Sequence, residues 1–340
     1  MNVIQNVLSW FYKARSEDFV VHWLNPDQVP DKLERRELTP DAAYLRVDLR
    51  SLRIVHVQKG LTRFYAMASS HITLPHLGQG EAVFQTIIAP PELKDVEAKN
   101  IDRFLSFNRP LVGPVPFRGG DVSLQVGLFS VVSANLLTPY VTLLEEISKM
   151  GSVEFINVAL PYTDLIAKGI NFLTGTTNPQ TLEIGVSTSF EQVSSGWLLV
   201  MRAPRAEFSD ARLNKLTVAA ADSKLLEGTV PVANYPYMLL RFSSSPTRDD
   251  WFKVPELLAQ SQLFNDVLRK GNANEVRPAL AAFERFLRTC PDILTADADK
   301  VAKKARAEVD RLYPPDAKTA AILPAAGLDP LPLEEYRIYD

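Results

Sequence analysis

The sequence of 340 residues contains very little cysteine and glycine. Its single cysteine, Cys290, leaves no partner for an intramolecular disulfide, which fits a reducing compartment and predicts a cytoplasmic protein. The 15 glycines are about 4% of the chain, against a usual value of about 7%. The sequence also has no Walker or dinucleotide-binding glycine motif, so the scarcity of glycine speaks against nucleotide chemistry.

Long apolar runs and an excess of one charge are also missing. No stretch reaches 18 apolar residues, so we expect no transmembrane helix. The start of the sequence lacks the basic residues and apolar core of a secretory signal. With 37 Lys and Arg against 40 Asp and Glu, the net charge of -3 argues against a protein held to nucleic acid by overall charge. These absences predict a soluble globular protein.

Residues 2–14 carry apolar side chains at the spacing of an amphipathic helix. We expect this helix to dock on its own domain. The alternative is a membrane-surface anchor, because Trp10 and Tyr12 flank its apolar face. Such anchors usually have many basic residues on the polar face, and only Lys13 and Arg15 are available here.

Alternating apolar and polar residues begin near position 43 and predict strands. In the first strand, over residues 44–50, the pattern predicts a core face of Leu45, Val47 and Leu49 and a solvent face of Arg46, Asp48 and Arg50. Further strands are predicted over 53–57, 63–68, 82–88, 122–132, 182–186, 197–202, 213–220 and 237–242, and helices over 139–150 and 163–172. The fold class is therefore predicted to be α+β, with a mainly antiparallel, β-sandwich-like domain at 1–250 and helices inserted around 139–172.

The last third of the sequence changes to helical periodicity. Helices are predicted over residues 254–270, 275–287 and 295–312, which together form a small three-helix unit over 251–313. Pro278 is expected in the first turn of the second helix, where a missing N–H costs little, and Thr295 is expected to cap the third.

Residues 314–340 form a proline-rich, acidic tail, a composition typical of extended segments. Its end nevertheless carries apolar side chains at Leu333, Tyr336, Ile338 and Tyr339. Two interpretations stay open: the tail packs back onto the protein, or another protein takes it up in extended form.

The residues most often used in catalysis are scarce and scattered. His71 and His76 are five positions apart, which is not the helical spacing of a metalloprotease and places them on opposite faces of a strand. We therefore expect no metal site and no cofactor. Apolar neighbours of Cys290 predict a buried thiol rather than a nucleophile.

One polar cluster, within residues 107–121, combines prolines with Arg109, Arg118 and Asp121. Its guanidinium groups could recognise carboxylate or phosphate, or they could bind loop carbonyls and fix an irregular segment; we favour the second interpretation. A short helix is predicted around 100–107. Arg241 and Arg248 are expected in salt bridges between the β-rich domain and the helical unit.

The sequence favours a non-catalytic interaction or regulatory protein, an accessory subunit of a larger prokaryotic-type assembly. It would bind a protein partner through the β-rich domain or the tail, and no nucleic acid is expected. The candidate partner-binding residues are Arg109, Arg118, Asp121, Leu333, Tyr336, Ile338 and Tyr339. The alternatives are a hydrolase with carboxylates scattered along the sequence, and a peripheral membrane protein that uses the N-terminal helix.

Overall fold

A computed structural model describes residues 19–55, 58–59, 62–77, 80–88, 104–132, 181–248, 250, 254–270 and 273–314. The described residues form a mixed α+β structure with mostly antiparallel sheets and three helices at the C-terminus, as predicted. The predicted helices at 2–14, 139–150 and 163–172, and the tail beyond residue 314, lie outside the described residues. The sandwich-like packing of the sheets stays a prediction.

Three sheets contain the thirteen described strands. The first sheet has the order β1 (Phe19–Leu24), β9 (Gly196–Arg202), β13 (Tyr237–Ser245), β2 (Tyr44–Arg53), β6 (Phe104–Pro116). The second has the order β3 (Gln58–Lys59), β4 (Thr62–His76), β7 (Val122–Val132), β8 (Thr181–Phe190), and β5 (Gly80–Ile88) pairs with β4. The third contains β10 (Leu216–Val218), β11 (Leu225–Glu227) and β12 (Val230–Pro231).

The chain divides into two compact units that do not follow the sequence in two simple halves. The first unit takes its described residues from 1–38, 46–113 and 119–244, and it holds most of the three sheets. The second takes them from 39–45, 114–118 and 245–340, so two short segments next to the ends of β2 and β6 belong with the helices. Limits at residues 250 and 313 stay a prediction.

Strand β2 is buried on both faces. Asp48 is only 2% exposed and accepts a 2.9 Å hydrogen bond from Arg46 Nε. The prediction that Asp48 lies on a solvent face is therefore wrong. The prediction failed because β2 lies between β13 and β6, and a central strand can be buried on both faces.

Strand β6 covers residues 104–116, so the irregular segment predicted there and the second half of the short helix predicted around 100–107 are wrong. Residues 100–103 lie outside the described residues. In the described part of the chain, β6 pairs only with β2 and forms an edge of the first sheet. An edge position tolerates proline, because the missing N–H can point away from the neighbouring strand. This explains how Pro110, Pro114 and Pro116 lie within one strand.

The remaining strand predictions vary in accuracy. The bounds of β7 match the prediction, and β9 and β13 extend it by one and three residues. The predicted strand at 53–57 is wrong, because β2 ends at Arg53 and no strand follows at residues 54–55. The predicted strand at 213–220 instead follows a helical turn at Asp210–Leu213 and is reduced to β10.

The second unit contains three helices: α1 (Pro255–Lys270), α2 (Ala273–Thr289) and α3 (Thr295–Leu312). Helix α2 packs against both neighbours, and Phe264 of α1 stacks on Phe283 of α2 with ring centroids 5.1 Å apart. Pro278 lies inside α2 rather than in its first turn. Leu294 holds the cap position of α3 without a side-chain bond, so Thr295 is not the cap. None of the helices in the described residues is long and apolar enough to cross a membrane.

Candidate functional site

The first unit contains a cluster of polar groups around Trp197 of β9. The Trp197 indole N–H donates a 3.0 Å hydrogen bond to Asp31 Oδ1. Arg241, the cross-strand partner of Trp197 on β13, donates from Nε to Asp31 Oδ2 at 2.8 Å. Burial alone would raise the pKa of Asp31, but the hydrogen bonds from Arg241 and Trp197 hold it below its usual value. The Leu33 N–H also donates to Asp31 Oδ1, at 3.3 Å, so Asp31 is a carboxylate fixed by three donors.

A second arginine approaches the same indole from β2. The guanidinium carbon of Arg50 lies 5.4 Å from the centroid of the Trp197 ring. Arg50 Nη1 donates to the side-chain oxygen of Asn108 on β6 at 2.7 Å. We call Asp31, Arg50, Asn108, Trp197 and Arg241 the tryptophan–arginine cluster. Four strands of the first sheet and one loop contribute its members.

The two guanidinium groups of this cluster have N–H donors that form no hydrogen bond with the described residues. An arginine offers five N–H groups in a planar fork. Within the described residues Arg50 makes one hydrogen bond, to Asn108, and its buried Nε has no acceptor. Arg241 uses only Nε in the hydrogen bonds described. Asp31 pairs with Arg241, and Arg50 has no carboxylate partner among the described residues.

The cluster is reachable from solvent. The side chains of Arg241 and Asp31 are 25% and 35% exposed, and Asn108 is exposed. Trp197 itself is only 1% exposed and belongs to the core of the first unit. Its ring therefore lies against the Arg50 guanidinium and its N–H holds Asp31, while the partly exposed Arg241 and the exposed Asn108 are parts that a ligand could touch.

The second unit contains a different cluster, centred on the connection between α2 and α3. Tyr44 donates its hydroxyl hydrogen to Asp297 Oδ2 at 2.8 Å and accepts a 2.9 Å hydrogen bond from the Leu294 N–H. Arg248 donates from Nη1 to the Asp292 carbonyl at 3.0 Å, and its guanidinium lies 5.6 Å from the Tyr44 ring centroid. Burial raises the pKa of Tyr44, so the phenol stays protonated and can donate.

Arg118 completes this second cluster. Its Nη2 donates to the carbonyls of Pro291 and Ile293 at 3.3 and 2.9 Å, and its Nη1 binds Asp41 at 2.7 Å. We call Tyr44, Arg118 and Arg248 the turn clamp, because all three bind the segment that joins α2 to α3. Arg118 therefore binds carbonyl groups of its own chain.

The residues predicted as a partner-binding site do not form one cluster. Arg109 lies on the exposed part of β6, and Asp121 is exposed just before β7, both in the first unit. Arg118 belongs to the second unit. Leu333, Tyr336, Ile338 and Tyr339 lie outside the described residues.

Arg241 and Arg248 each bind acceptors within their own unit. Arg241 binds Asp31 of the first unit, and Arg248 binds Asp250 and the Asp292 carbonyl of the second. This differs from the prediction that they join the two domains.

The described histidines, His22, His71 and His76, and the cysteine occupy buried or partly buried positions. Burial lowers the pKa of His71, on β4, to about 4. Among the residues that the structure describes, no group of histidine, cysteine and carboxylate side chains could hold a metal ion. Cys290 is buried among apolar side chains, as predicted, and burial raises the pKa of its thiol to about 11.

Comparison with known protein families, with curated proteins and with solved structures gave no match.

Sequence reasoning named Arg118 and Arg248 of the turn clamp and Arg50 and Arg241 of the other cluster, but it missed Tyr44, Asp31, Asn108 and Trp197 and the contacts that join the members. Trp197 and Asp31 are 166 positions apart, and Tyr44 and Asp297 are 253 apart. No local motif can join residues at such distances. The only available signal was the alternation of β9 and β13, which would place Trp197 beside Arg241 once their register was known.

Proposed function

We propose that the protein is a non-catalytic interaction or regulatory protein that binds a protein partner through its first unit. The observation that carries this proposal is the tryptophan–arginine cluster, where Arg50 lies over the buried indole of Trp197 and the partly exposed Arg241 is held by Asp31. Arginine and tryptophan are enriched among the residues that dominate binding energy at protein interfaces. The buried indole is a rigid support for the Arg50 side chain, which reduces the conformational entropy that this side chain loses on binding.

The C-terminal tail is proposed as a second contributor. Leu333, Tyr336, Ile338 and Tyr339 give it an apolar and aromatic end within an otherwise acidic segment. Peptides of this kind can bind in extended form to a partner protein. The tail and the cluster can be separated experimentally, because they lie far apart in the sequence.

The test uses the full chain as bait in the source cell, with captured proteins identified by mass spectrometry. Each candidate is then purified and its direct binding measured by calorimetry. We expect at least one direct binder, and weaker binding by the Arg50→Gln/Arg241→Gln double variant, by a chain ending at residue 313, or by both. The matched control is Arg205→Gln, an exposed arginine of the first unit paired with Asp210. Direct binding unaffected by either change would contradict the proposed surfaces, and absence of any direct binder would contradict the function.

A further inference from the structure

We infer that the tryptophan–arginine cluster binds carboxylate groups of an acidic peptide segment in the partner protein. This inference rests on the proposed function and specifies the chemistry of the partner. Its starting point is the set of guanidinium donors of Arg50 and Arg241 that find no acceptor in the described part of the chain.

Guanidinium and carboxylate groups match in shape and charge. The planar fork of arginine presents two parallel N–H donors to the two oxygens of one carboxylate. In Arg241 the Nε is taken by Asp31, so the two terminal nitrogens remain for a second anion. In Arg50 a single bond to the exposed Asn108 side chain fixes the guanidinium, and its Nε is buried without an acceptor. Because this Nε is buried, a bound carboxylate would meet the terminal nitrogens of Arg50 instead.

Asp31 shows that a carboxylate can bind to the donors of this cluster. Its carboxylate accepts from Trp197 Nε1 and Arg241 Nε, at 3.0 and 2.8 Å. One carboxylate neutralises only one of the two guanidinium groups, so the cluster remains positive. A carboxylate side chain of a partner would balance the remaining charge without exposing a buried group of the protein.

The burial of Trp197 argues against nucleic acid at the same place. Proteins that hold single strands stack bases on exposed aromatic rings. Trp197 is 1% exposed and offers no such face. The net charge of -3 also gives the chain no overall attraction for a polyanion. Recognition through the edges of two guanidinium groups fits isolated carboxylates better.

The test measures fluorescence anisotropy of a fluorescein-labelled peptide of alternating glutamate and glycine, titrated with the full chain. The control peptide replaces every glutamate by glutamine, which keeps shape and removes charge. We expect the acidic peptide to bind, the glutamine peptide to bind at least about tenfold more weakly, and binding of the acidic peptide to weaken as NaCl is raised.

Variants assign the binding to the cluster. Arg50→Gln and Arg241→Gln should each weaken binding by about tenfold or more, and Arg50→Lys and Arg241→Lys should also weaken it, since lysine lacks the fork. Arg205→Gln should leave the affinity unchanged. Circular dichroism melting confirms that every variant is folded, and the lysine variants keep the charge if a glutamine variant fails to fold.

Several outcomes would overturn the inference. These are equal binding of both peptides, full affinity in both glutamine variants, or displacement of the peptide by inorganic phosphate or a single-stranded oligonucleotide at a lower concentration than by free unlabelled acidic peptide. If the acidic peptide fails to bind while a purified partner binds directly, the inference fails and the proposed function stands. If no direct partner exists, the proposed function fails independently of the peptide result.

Discussion

Arginine has two different settings in the two units of this protein. In the turn clamp, Arg118 and Arg248 donate to backbone carbonyls, and their side chains are 11% and 8% exposed. Arg118 and Arg248 also bind Asp41 and Asp250, and Arg118 Nε, like Arg50 Nε, is buried without an acceptor. In the tryptophan–arginine cluster, Arg50 and Arg241 donate to side chains and to no backbone carbonyl in the described hydrogen bonds, and Arg241 is 25% exposed. The chemical group is the same, but its partners differ.

The difference teaches how the same residue serves structure or recognition. A backbone carbonyl is held by the fold, so a donor directed at it stabilises one conformation of the connection. Removing such a donor leaves buried carbonyls without a partner, which costs more than the bond itself contributed. A donor held by an exposed amide or a partly exposed carboxylate can exchange that acceptor for a ligand at little cost.

The largest expected effect is on the turn clamp. Replacing Tyr44 by Phe removes the hydroxyl that bonds both Asp297 and the Leu294 N–H, and leaves a buried carboxylate short of a donor. We expect the free energy of unfolding to fall by about 2–4 kcal/mol. Urea denaturation followed by circular dichroism measures it.

The matched control is Tyr235→Phe. The Tyr235 hydroxyl donates to Glu207 at an exposed position, so its loss should change the free energy of unfolding by less than about 0.5 kcal/mol. Equal losses in the two variants would mean that burial of the hydroxyl does not decide its contribution.

The second prediction compares one arginine from each setting. Arg118→Gln should lower the free energy of unfolding by about 1–3 kcal/mol, because the Pro291 and Ile293 carbonyls lose their donor. Arg241→Gln should lower it by less than about 1 kcal/mol, since only a partly exposed ion pair is lost. A larger loss in the free energy of unfolding for Arg241→Gln than for Arg118→Gln would contradict the difference between the two settings.

The third prediction concerns how the stability of each unit depends on pH. Burial lowers the folded-state pKa of His71 to about 4, below its usual value of 6.5, so the unfolded state binds more protons between these values. Stability should therefore fall as the pH is lowered from 6.5 to 4. The second unit contains no histidine, so its own loss of structure should not follow this titration.

His71→Gln should flatten this dependence, measured as the urea midpoint at several pH values. Burial also lowers the pKa of His22, so part of the slope should remain. An unchanged slope in His71→Gln would show that His71 does not contribute to it.

The smallest effect concerns the reactivity of Cys290. Its thiol is buried and has a pKa of about 11, so it should react slowly with a disulfide reagent at neutral pH in the folded protein. Because Cys290 directly precedes the segment held by the turn clamp, Tyr44→Phe should speed the reaction and Tyr235→Phe should not. Rapid labelling of the unaltered protein would contradict the burial of this thiol.

The sequence pattern predicted the elements whose period is strong and local. The helices α1 to α3 and strand β7 follow from regular apolar spacing, because each buries one face. Strand β6 was missed because its prolines suggest a break, and the edge position that tolerates them is known only after β2 has paired with it. Asp48 was predicted on a solvent face because charged residues alternate with apolar ones at Arg46, Asp48 and Arg50, which is also the pattern of a half-buried strand.

The candidate site was less predictable than the fold. Arg109, Arg118 and Asp121 are close in sequence, yet they do not form one cluster. The tryptophan–arginine cluster draws on five separate segments, and its members become neighbours only through the register of the first sheet. Alternation gives the face of each residue but not the strand beside it, so contacts of this range require the structure.

The prolines of β6 have a consequence for the association of one molecule with another. Phe117 donates its N–H to the Ala43 carbonyl and accepts from the Asp41 N–H, so alternation turns Pro114 and Pro116 toward the outer side of the strand. A foreign strand laid along this edge would meet positions that have no hydrogen to donate. Among the described residues β6 has no second neighbour, and prolines on such an edge disfavour the addition of a strand from another molecule.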